Sequence, residues 1–123
     1  MKAMNIDMLR VCLASQGEWP VRVKGWCMLP AIENNAEVVL EAVAPETLCA
    51  GDLVAYRHQG ALLTHRFVLR EGNFFVMRPD NRPEREDLIT AVDIVGRVRE
   101  VRNPSFARKV LNKLIRLFAK DNG

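Results

Sequence analysis

The chain has 123 residues, 49% hydrophobic and 27% charged, a composition typical of one globular domain with a modest core. No apolar run approaches the roughly 20 residues of a membrane helix, and Asp7 and Arg10 interrupt the N-terminal apolar stretch, unlike a secretory signal. We therefore expect a soluble cytoplasmic protein. The spacing of Cys12, Cys27 and Cys49 favours neither a disulfide framework nor a zinc site, and we expect no cofactor.

Helical spacing of apolar residues predicts a helix at each end of the chain, over 4–14 and 105–120. Between them, alternating apolar residues and turn residues predict strands over 21–25, 36–43, 51–58, 61–70, 73–78 and 91–102, with a charged loop over 78–87. The close spacing of strands and turns favours a mainly β fold, built as coiled antiparallel sheets or a partly open barrel, over βαβ units.

The basic character of the chain is concentrated at its C-terminus. Residues 96–123 carry a net charge of +6, and the rest of the chain carries −3. We expect one domain over 1–103, followed over 104–123 by a basic amphipathic helix. This helix either packs on the domain or makes a peripheral contact with an anionic membrane, and no aromatic residues interleave with its charges to stack nucleic-acid bases. Its apolar stripe comprises Phe106, Val110, Leu114, Leu117 and Phe118.

Cys27 lies in the unusual stretch "GWCMLP". Gly25 can adopt backbone angles closed to other residues, and Pro30 ends a local helix or strand, so together they favour a sharp turn. Such a turn can present the thiol as a nucleophile and leave backbone N–H groups free to bind an oxyanion. The alternative is a buried structural cysteine, which is a common environment for this residue.

His65 lies in "LLTHRFV", where strand alternation places it on the apolar face with Leu63 and Phe67. It is either a core residue or a general base, because the ordinary pKa of an imidazole suits proton transfer at neutral pH. A carboxylate of the 78–87 loop, Asp80 or Asp87, could bind the second ring nitrogen and fix the tautomer.

Two nearby residues have simpler interpretations. We expect His58, at a predicted turn, to be a solvated surface residue. Asp52 follows Gly51 and is expected to stabilise the turn into its strand.

Five boxes in order, "GWCMLP", "AGDLVAYR", "LLTHRFV", "RPDN" and "DIVGRV", resemble the superfamily of signal peptidase I and the self-cleaving SOS repressors. The resemblance spans 21–100 and implies a mostly β peptidase fold. By position, Cys27 matches the nucleophilic serine and His65 the general base, as in the histidine-containing signal peptidases. Asp80 or Asp87 would assist the histidine, and Gly96 matches the closing box.

The chain departs from the family pattern at two positions, with cysteine in place of serine at 27 and Pro79 in place of a glycine. Because only 26 residues precede Cys27, we expect a stand-alone catalytic module. The substrate would be a peptide or protein that contacts Gly25, Met28 and Pro30, the residues flanking the nucleophile.

The leading hypothesis is an endopeptidase with a Cys27–His65 dyad, in which the sulfur lies within about 4 Å of a ring nitrogen. Two alternatives remain open at this point. One is a non-catalytic peptide-binding module of the same fold, and the other is a sensor whose Cys27 thiol is reversibly oxidised.

Overall fold

The computed structural model describes residues 5–121, so Met4, the predicted first helical residue, lies outside the described part of the chain. Two α-helices flank seven strands, with short 3₁₀ turns at Pro45–Thr47 and Ala91–Asp93. The helices are α1 (Ile6–Gln16) and α2 (Pro104–Asp121). The strands are β1 (Glu18–Arg22), β2 (Glu37–Glu41), β3 (Leu53–His58), β4 (Ala61–Glu71), β5 (Phe74–Arg78), β6 (Asp87–Ile89) and β7 (Ile94–Arg102).

All seven strands form one antiparallel sheet in the order β1-β2-β7-β3-β4-β5-β6. Irregular registers interrupt the β2–β7, β3–β7 and β4–β5 pairs. Bulges of this kind bend a strand and increase its twist, which curls the sheet into a half-barrel. The predicted mainly β fold with a helix at each end is therefore confirmed.

Element boundaries differ from the predicted ones for local reasons. α1 begins at Ile6 because the Asn5 side chain accepts a hydrogen bond from Asp7 N at 2.7 Å, and it ends at Gly17, which has a φ of 81°. The first strand is Glu18–Arg22 rather than 21–25. It includes Pro20, which an edge strand tolerates because one row of its backbone groups needs no partner. The end of the predicted 78–87 loop forms the short strand β6.

The core has two clusters of buried residues, and alternation along β3 assigns its residues to them. Ala55 packs in the first cluster with Leu9 and Leu13 of α1, whereas Val54 and Tyr56 belong to the second. The other buried members of the second cluster are Phe67, Phe75, Met77, Ile89 and Ile94. The β3–β4 register then positions the candidate base at the second cluster.

α2 is attached to the domain at its first turn and is exposed beyond it. The Ser105 hydroxyl donates to Glu33 Oε2, and Ser105 N donates to Glu33 Oε1 at 2.9 Å. These two hydrogen bonds hold the pKa of Glu33 below its usual value. The residues of the apolar stripe are nevertheless solvent-exposed, from 44% at Val110 to 69% at Phe106. In this structure the stripe is therefore not packed on the domain. Within 5–121, no helix has the length and apolar character needed to cross a bilayer.

Candidate active site

Cys27 lies in a tight turn between β1 and β2. Gly25 has a φ of 111°, a left-handed value that favours glycine, and its N–H donates to Asn34 Oδ1 at 2.8 Å. Leu29 N donates to Trp26 O at 3.2 Å, closing the turn around Cys27. The thiol of Cys27 is free and half-buried. The expected sharp turn is therefore present, and it leaves the thiol partly accessible.

The Cys27 turn is docked onto the segment that follows β5. Asn81 N donates to Cys27 O at 2.8 Å, and Asn81 Nδ2 lies 3.3 Å from Trp26 O. Asp80 N lies 3.3 Å from the sulfur of Met28. The first and fourth sequence boxes, more than fifty positions apart, are thus held together by hydrogen bonds that involve the backbone.

His65 is buried in the middle of β4, with 3% of its surface exposed. Its register partner is Val54, and it lies on the same face as Phe67, as the alternation predicts. The His65 ring packs edge-on against the ring of Tyr56, with centroids 5.7 Å apart. The imidazole therefore has a fixed orientation in the core.

A short hydrogen-bond chain joins His65 to Asp87 through Tyr56. The Tyr56 hydroxyl lies 2.7 Å from His65 Nδ1 and donates to Asp87 Oδ2 at 2.6 Å. His65 Nδ1 is 3.9 Å from the same carboxylate oxygen, too far for a direct hydrogen bond. Of the two candidate carboxylates, Asp87 is thus the one linked to the histidine, and the link is indirect.

The donor and acceptor of each of these two hydrogen bonds follow from the number of protons available. Tyr56 has one O–H proton, and the carboxylate of Asp87 can only accept it. The phenol oxygen must then accept the hydrogen bond from His65, which places the imidazole proton on Nδ1. Nε2 therefore carries the lone pair, and among residues 5–121 it has no hydrogen-bond partner.

Burial sets the protonation of both rings. Desolvation is the main cause that lowers the pKa of His65 below its usual 6.5, and the negative charge of Asp87 opposes it. Desolvation also raises the pKa of Tyr56, with further contributions from the hydrogen bond to Asp87 and from its charge. At neutral pH the site therefore contains a neutral imidazole and a protonated phenol.

Asp87 has two further neighbours on its second oxygen. His58 Nε2 lies 3.5 Å and Arg85 Nε lies 3.9 Å from Asp87 Oδ1. His58 is half-buried at the end of β3 rather than solvated on a turn, so that expectation is corrected. Asp87 itself is 6% exposed, and the surrounding donors compensate for burying its charge.

Asp80 has a different partner. Its carboxylate forms a two-pronged ion pair with Arg66, at 3.0 Å to Nε and 2.6 Å to Nη2. Arg66 Nη1 also donates to Gly51 O at 2.9 Å, and the Asp52 side chain accepts from Cys49 N at 2.9 Å. Asp80 and Arg66 thus connect the fourth box to the second, and Asp52 stabilises its turn as expected.

Cys27 and His65 are not directly hydrogen-bonded in the part of the chain that the structure describes. Cys27 is instead joined to this region through backbone contacts, because Asn81 N donates to Cys27 O and the adjacent Asp80 binds Arg66, the neighbour of His65 on β4. The structure thus links Tyr56, His65 and Asp87 in one network, and it attaches the Cys27 turn to the segment that contains Asp80.

The three residues expected to contact substrate differ in exposure. Pro30 is exposed and Gly25 is half-buried, so both can be reached from solvent. Met28 is only 3% exposed, and its side chain packs in the first core cluster. Its side chain therefore anchors the turn, and only its backbone is suited to contact a ligand.

Tyr56 is the site residue that the sequence analysis missed. Its position in the second box indicated only a β-strand. Strand alternation places it on the same face as Val54, as expected of a core residue. The signal that could have identified it is the β3–β4 hairpin, which brings residues 56 and 65 to the same face. A tyrosine buried there needs a partner for its hydroxyl.

Comparison with known protein families gives a match over most of the chain. A model of the family described as Peptidase S24-like matches residues 4–99, which include the Cys27 turn, the β3–β4 hairpin and β6. A search of curated proteins finds no match. The family match confirms the resemblance to the superfamily of self-cleaving repressors and signal peptidases. The chain belongs to the Peptidase S24-like family.

Proposed function

We propose that this protein hydrolyses a peptide bond, with Cys27 as the nucleophile and His65 as the general base. The observation that carries the proposal is the hydrogen-bond chain from Asp87 through Tyr56 to His65 Nδ1. These hydrogen bonds leave Nε2 unprotonated, and the unprotonated nitrogen of a neutral imidazole can accept a thiol proton.

In the first half-reaction, the Cys27 thiol transfers its proton to His65 Nε2 as the sulfur attacks the peptide carbonyl carbon. The tetrahedral intermediate collapses when the carbon–nitrogen bond breaks, and the leaving amine takes the proton from His65. The products are a free amine fragment and a thioester on Cys27.

In the second half-reaction, His65 Nε2 accepts a proton from water, and the hydroxide oxygen bonds to the thioester carbon. The carbon–sulfur bond then breaks, and the proton returns to the sulfur. A carboxylic acid fragment leaves, and both Cys27 and His65 are restored. No oxidant, metal or cofactor enters this balance.

The Cys27 turn supplies donors for the developing oxyanion. The backbone N–H groups of Cys27 and Met28 have no hydrogen-bond acceptor within residues 5–121. Pre-oriented backbone donors of this kind stabilise a tetrahedral intermediate because their geometry is fixed before the reaction. The anchored side chain of Met28 and the bond from Asn81 N to Cys27 O hold this turn in place.

Tyr56 and Asp87 are positioning residues in this scheme. The carboxylate orients the phenol, and the phenol oxygen holds the imidazole in the Nδ1–H tautomer. When His65 becomes an imidazolium during the reaction, the negative charge of Asp87 stabilises it, since that charge raises the pKa of His65. The arrangement gives the orienting effect of a triad carboxylate through one intervening hydroxyl.

The test is cleavage of a mixed peptide library, read by mass spectrometry of the new termini. We expect Cys27→Ala to abolish cleavage and Cys27→Ser to retain a fraction, because the family places serine at this position. Cys49→Ala is the matched control, since it removes an exposed thiol outside the site. Cleavage that persists in Cys27→Ala would refute the nucleophile.

The second candidate is a peptide-binding module without turnover. The observation that favours it is the missing hydrogen bond between Cys27 and His65, together with a free sheet edge beside the site: β6, which contains Asp87, is an edge strand. An extended peptide could pair with this edge. Library peptides that bind the wild-type protein and stay intact would support this module over the enzyme.

The third candidate is a thiol sensor, which also uses Cys27 because the thiol is half-buried rather than sealed in the core. It differs from the enzyme in its product. Mild peroxide would convert Cys27 to a sulfenic acid that a dimedone probe traps, and no library peptide would be cut.

A further inference from the structure

α2 has a wide apolar face that the domain does not cover. Successive residues of an α-helix are rotated by about 100°, which places the apolar residues of 106–118 on an arc of about 180°. The exposed large apolar side chains on this arc are Phe106, Val110, Leu111, Leu114, Ile115, Leu117 and Phe118. A helix that packs on its own domain shows a narrower stripe, which is buried.

The charged residues on the opposite face of α2 are all basic. Between 104 and 120 the sequence contains five Lys or Arg residues and no Asp or Glu. The basic positions are Arg108, Lys109, Lys113, Arg116 and Lys120. Cationic side chains therefore border a broad apolar surface, and the segment has no charge of opposite sign to balance them.

From these two faces we propose that α2 docks on the surface of a membrane containing anionic lipids. The apolar arc would enter the boundary between headgroups and acyl chains, and the basic side chains would contact lipid phosphates. An apolar arc of half the helix circumference suits a helix lying in a planar interface, where about half of the cylinder is in contact with acyl chains.

A second copy of this chain is a poorer occupant. Two α2 helices packed face to face would bring two basic rims together, and the single acidic residue of each helix, Asp121, is its last residue. Like charges placed close together oppose association. The charge of α2 thus complements an anionic surface and not another α2.

The attachment of α2 fixes what lies close to that surface. Glu33 binds the first turn of α2 through Ser105, and Asn103 Nδ2 donates to Ala31 O at 3.1 Å. Glu33 N in turn donates to Asn103 Oδ1 at 2.9 Å. These contacts join the start of the helix to the segment just after the Cys27 turn, so docking would orient the domain as well as bind it.

The experiment is co-sedimentation of the full chain with vesicles of phosphatidylcholine alone or of phosphatidylcholine with phosphatidylglycerol. We expect pelleting with the anionic vesicles only, and less pelleting as salt is raised. Arg116→Gln should lower the partition coefficient about fivefold, the effect of one basic residue near an anionic surface. Leu117→Gln should lower it about tenfold by removing half-exposed apolar surface from the interface.

Two control variants carry the same types of substitution, arginine to glutamine and leucine to glutamine, outside α2. Arg82→Gln changes an exposed arginine of the 78–87 segment, and Leu88→Gln changes a leucine that is 56% exposed on β6. Both should pellet like the wild-type protein. Circular dichroism of all four variants checks that each remains folded, so that lost binding can be assigned to the altered side chain.

Three results would overturn the proposal. The first is wild-type protein that stays in the supernatant with anionic vesicles at low salt. The second is equal pelleting with neutral and anionic vesicles, which would remove the role of the basic face. The third is a dimer in light scattering that Leu117→Gln dissociates, with no vesicle binding, which would identify a second copy as the occupant.

Discussion

The hydroxyl of Tyr56 lies 2.7 Å from His65 Nδ1, inside the second core cluster and nine positions away along the β3–β4 hairpin. Because the same hydroxyl donates to Asp87 at 2.6 Å, it can only accept from the imidazole. Tyr56, which the sequence pattern identifies only as a core residue, thus determines which ring nitrogen of His65 is unprotonated.

Replacing Tyr56 with phenylalanine should change the tautomer of His65. The ring would still fill its place in the core, but Nδ1 would lose its acceptor, and the Nδ1–H tautomer would no longer be favoured. We expect proton NMR correlated with ring nitrogens to show a mixture of tautomers and the rate of peptide cleavage to fall about 10–100-fold. Phe67→Leu, in the same cluster, should leave the tautomer unchanged. An unchanged tautomer in Tyr56→Phe would contradict the assigned hydrogen-bond direction.

Neutralising the two acidic residues should separate their roles. Both charges raise the pKa of His65, and Asp87 contributes more than Asp80. Asp87→Asn should therefore lower the pKa of His65 further than Asp80→Asn does, as measured by NMR titration of the imidazole protons. Asp80→Asn should instead loosen the ion pair with Arg66. A larger shift in Asp80→Asn would assign the assisting role to Asp80.

The stability of the protein should depend on pH through His65. Its folded-state pKa is below the usual 6.5, so the unfolded chain binds more protons between the two values. The contribution of the neutral ring is complete above about pH 6.5 and is lost as pH falls through the folded-state pKa. Urea unfolding at about pH 7.5 and about pH 5.5 should show a smaller loss of unfolding free energy in His65→Gln than in the wild-type protein. Equal losses in the two proteins would count against a buried neutral His65.

The fold, the burial of His65 and the turn before β3 could be predicted from the sequence because those features depend on local patterns. Alternation identified the buried face of His65, and Gly51 with Asp52 marked the turn before β3. Gly96 matches the glycine of the closing box. The structure favours glycine there because an added Cβ would lie 2.9 Å from Glu41 O on the neighbouring strand. Such features are encoded within a few neighbouring residues.

The remaining features depend on tertiary contacts. Asp80 and Asp87 were equivalent in the sequence, and only the position of β6 at the sheet edge brings Asp87 to Tyr56. The first strand was predicted to begin too far along the chain. Its position is set by pairing with β2, which places Glu18 opposite Glu41. The apolar stripe of α2 left open whether the helix packs on the domain or contacts a membrane, because a stripe indicates an apolar partner and does not identify that partner.

The reactivity of Cys27 relative to Cys49 tests the central claim most directly. Cys49 is exposed and Cys27 is half-buried, so accessibility alone predicts that Cys49 is alkylated first. If His65 Nε2 activates the Cys27 thiol, iodoacetamide at about pH 7 should modify Cys27 about tenfold faster than Cys49. His65→Ala should abolish that excess without changing the rate at Cys49, as read by peptide mass spectrometry. Cys49 reacting faster in the wild-type protein, with no effect of His65→Ala on Cys27, would contradict a His65-activated nucleophile.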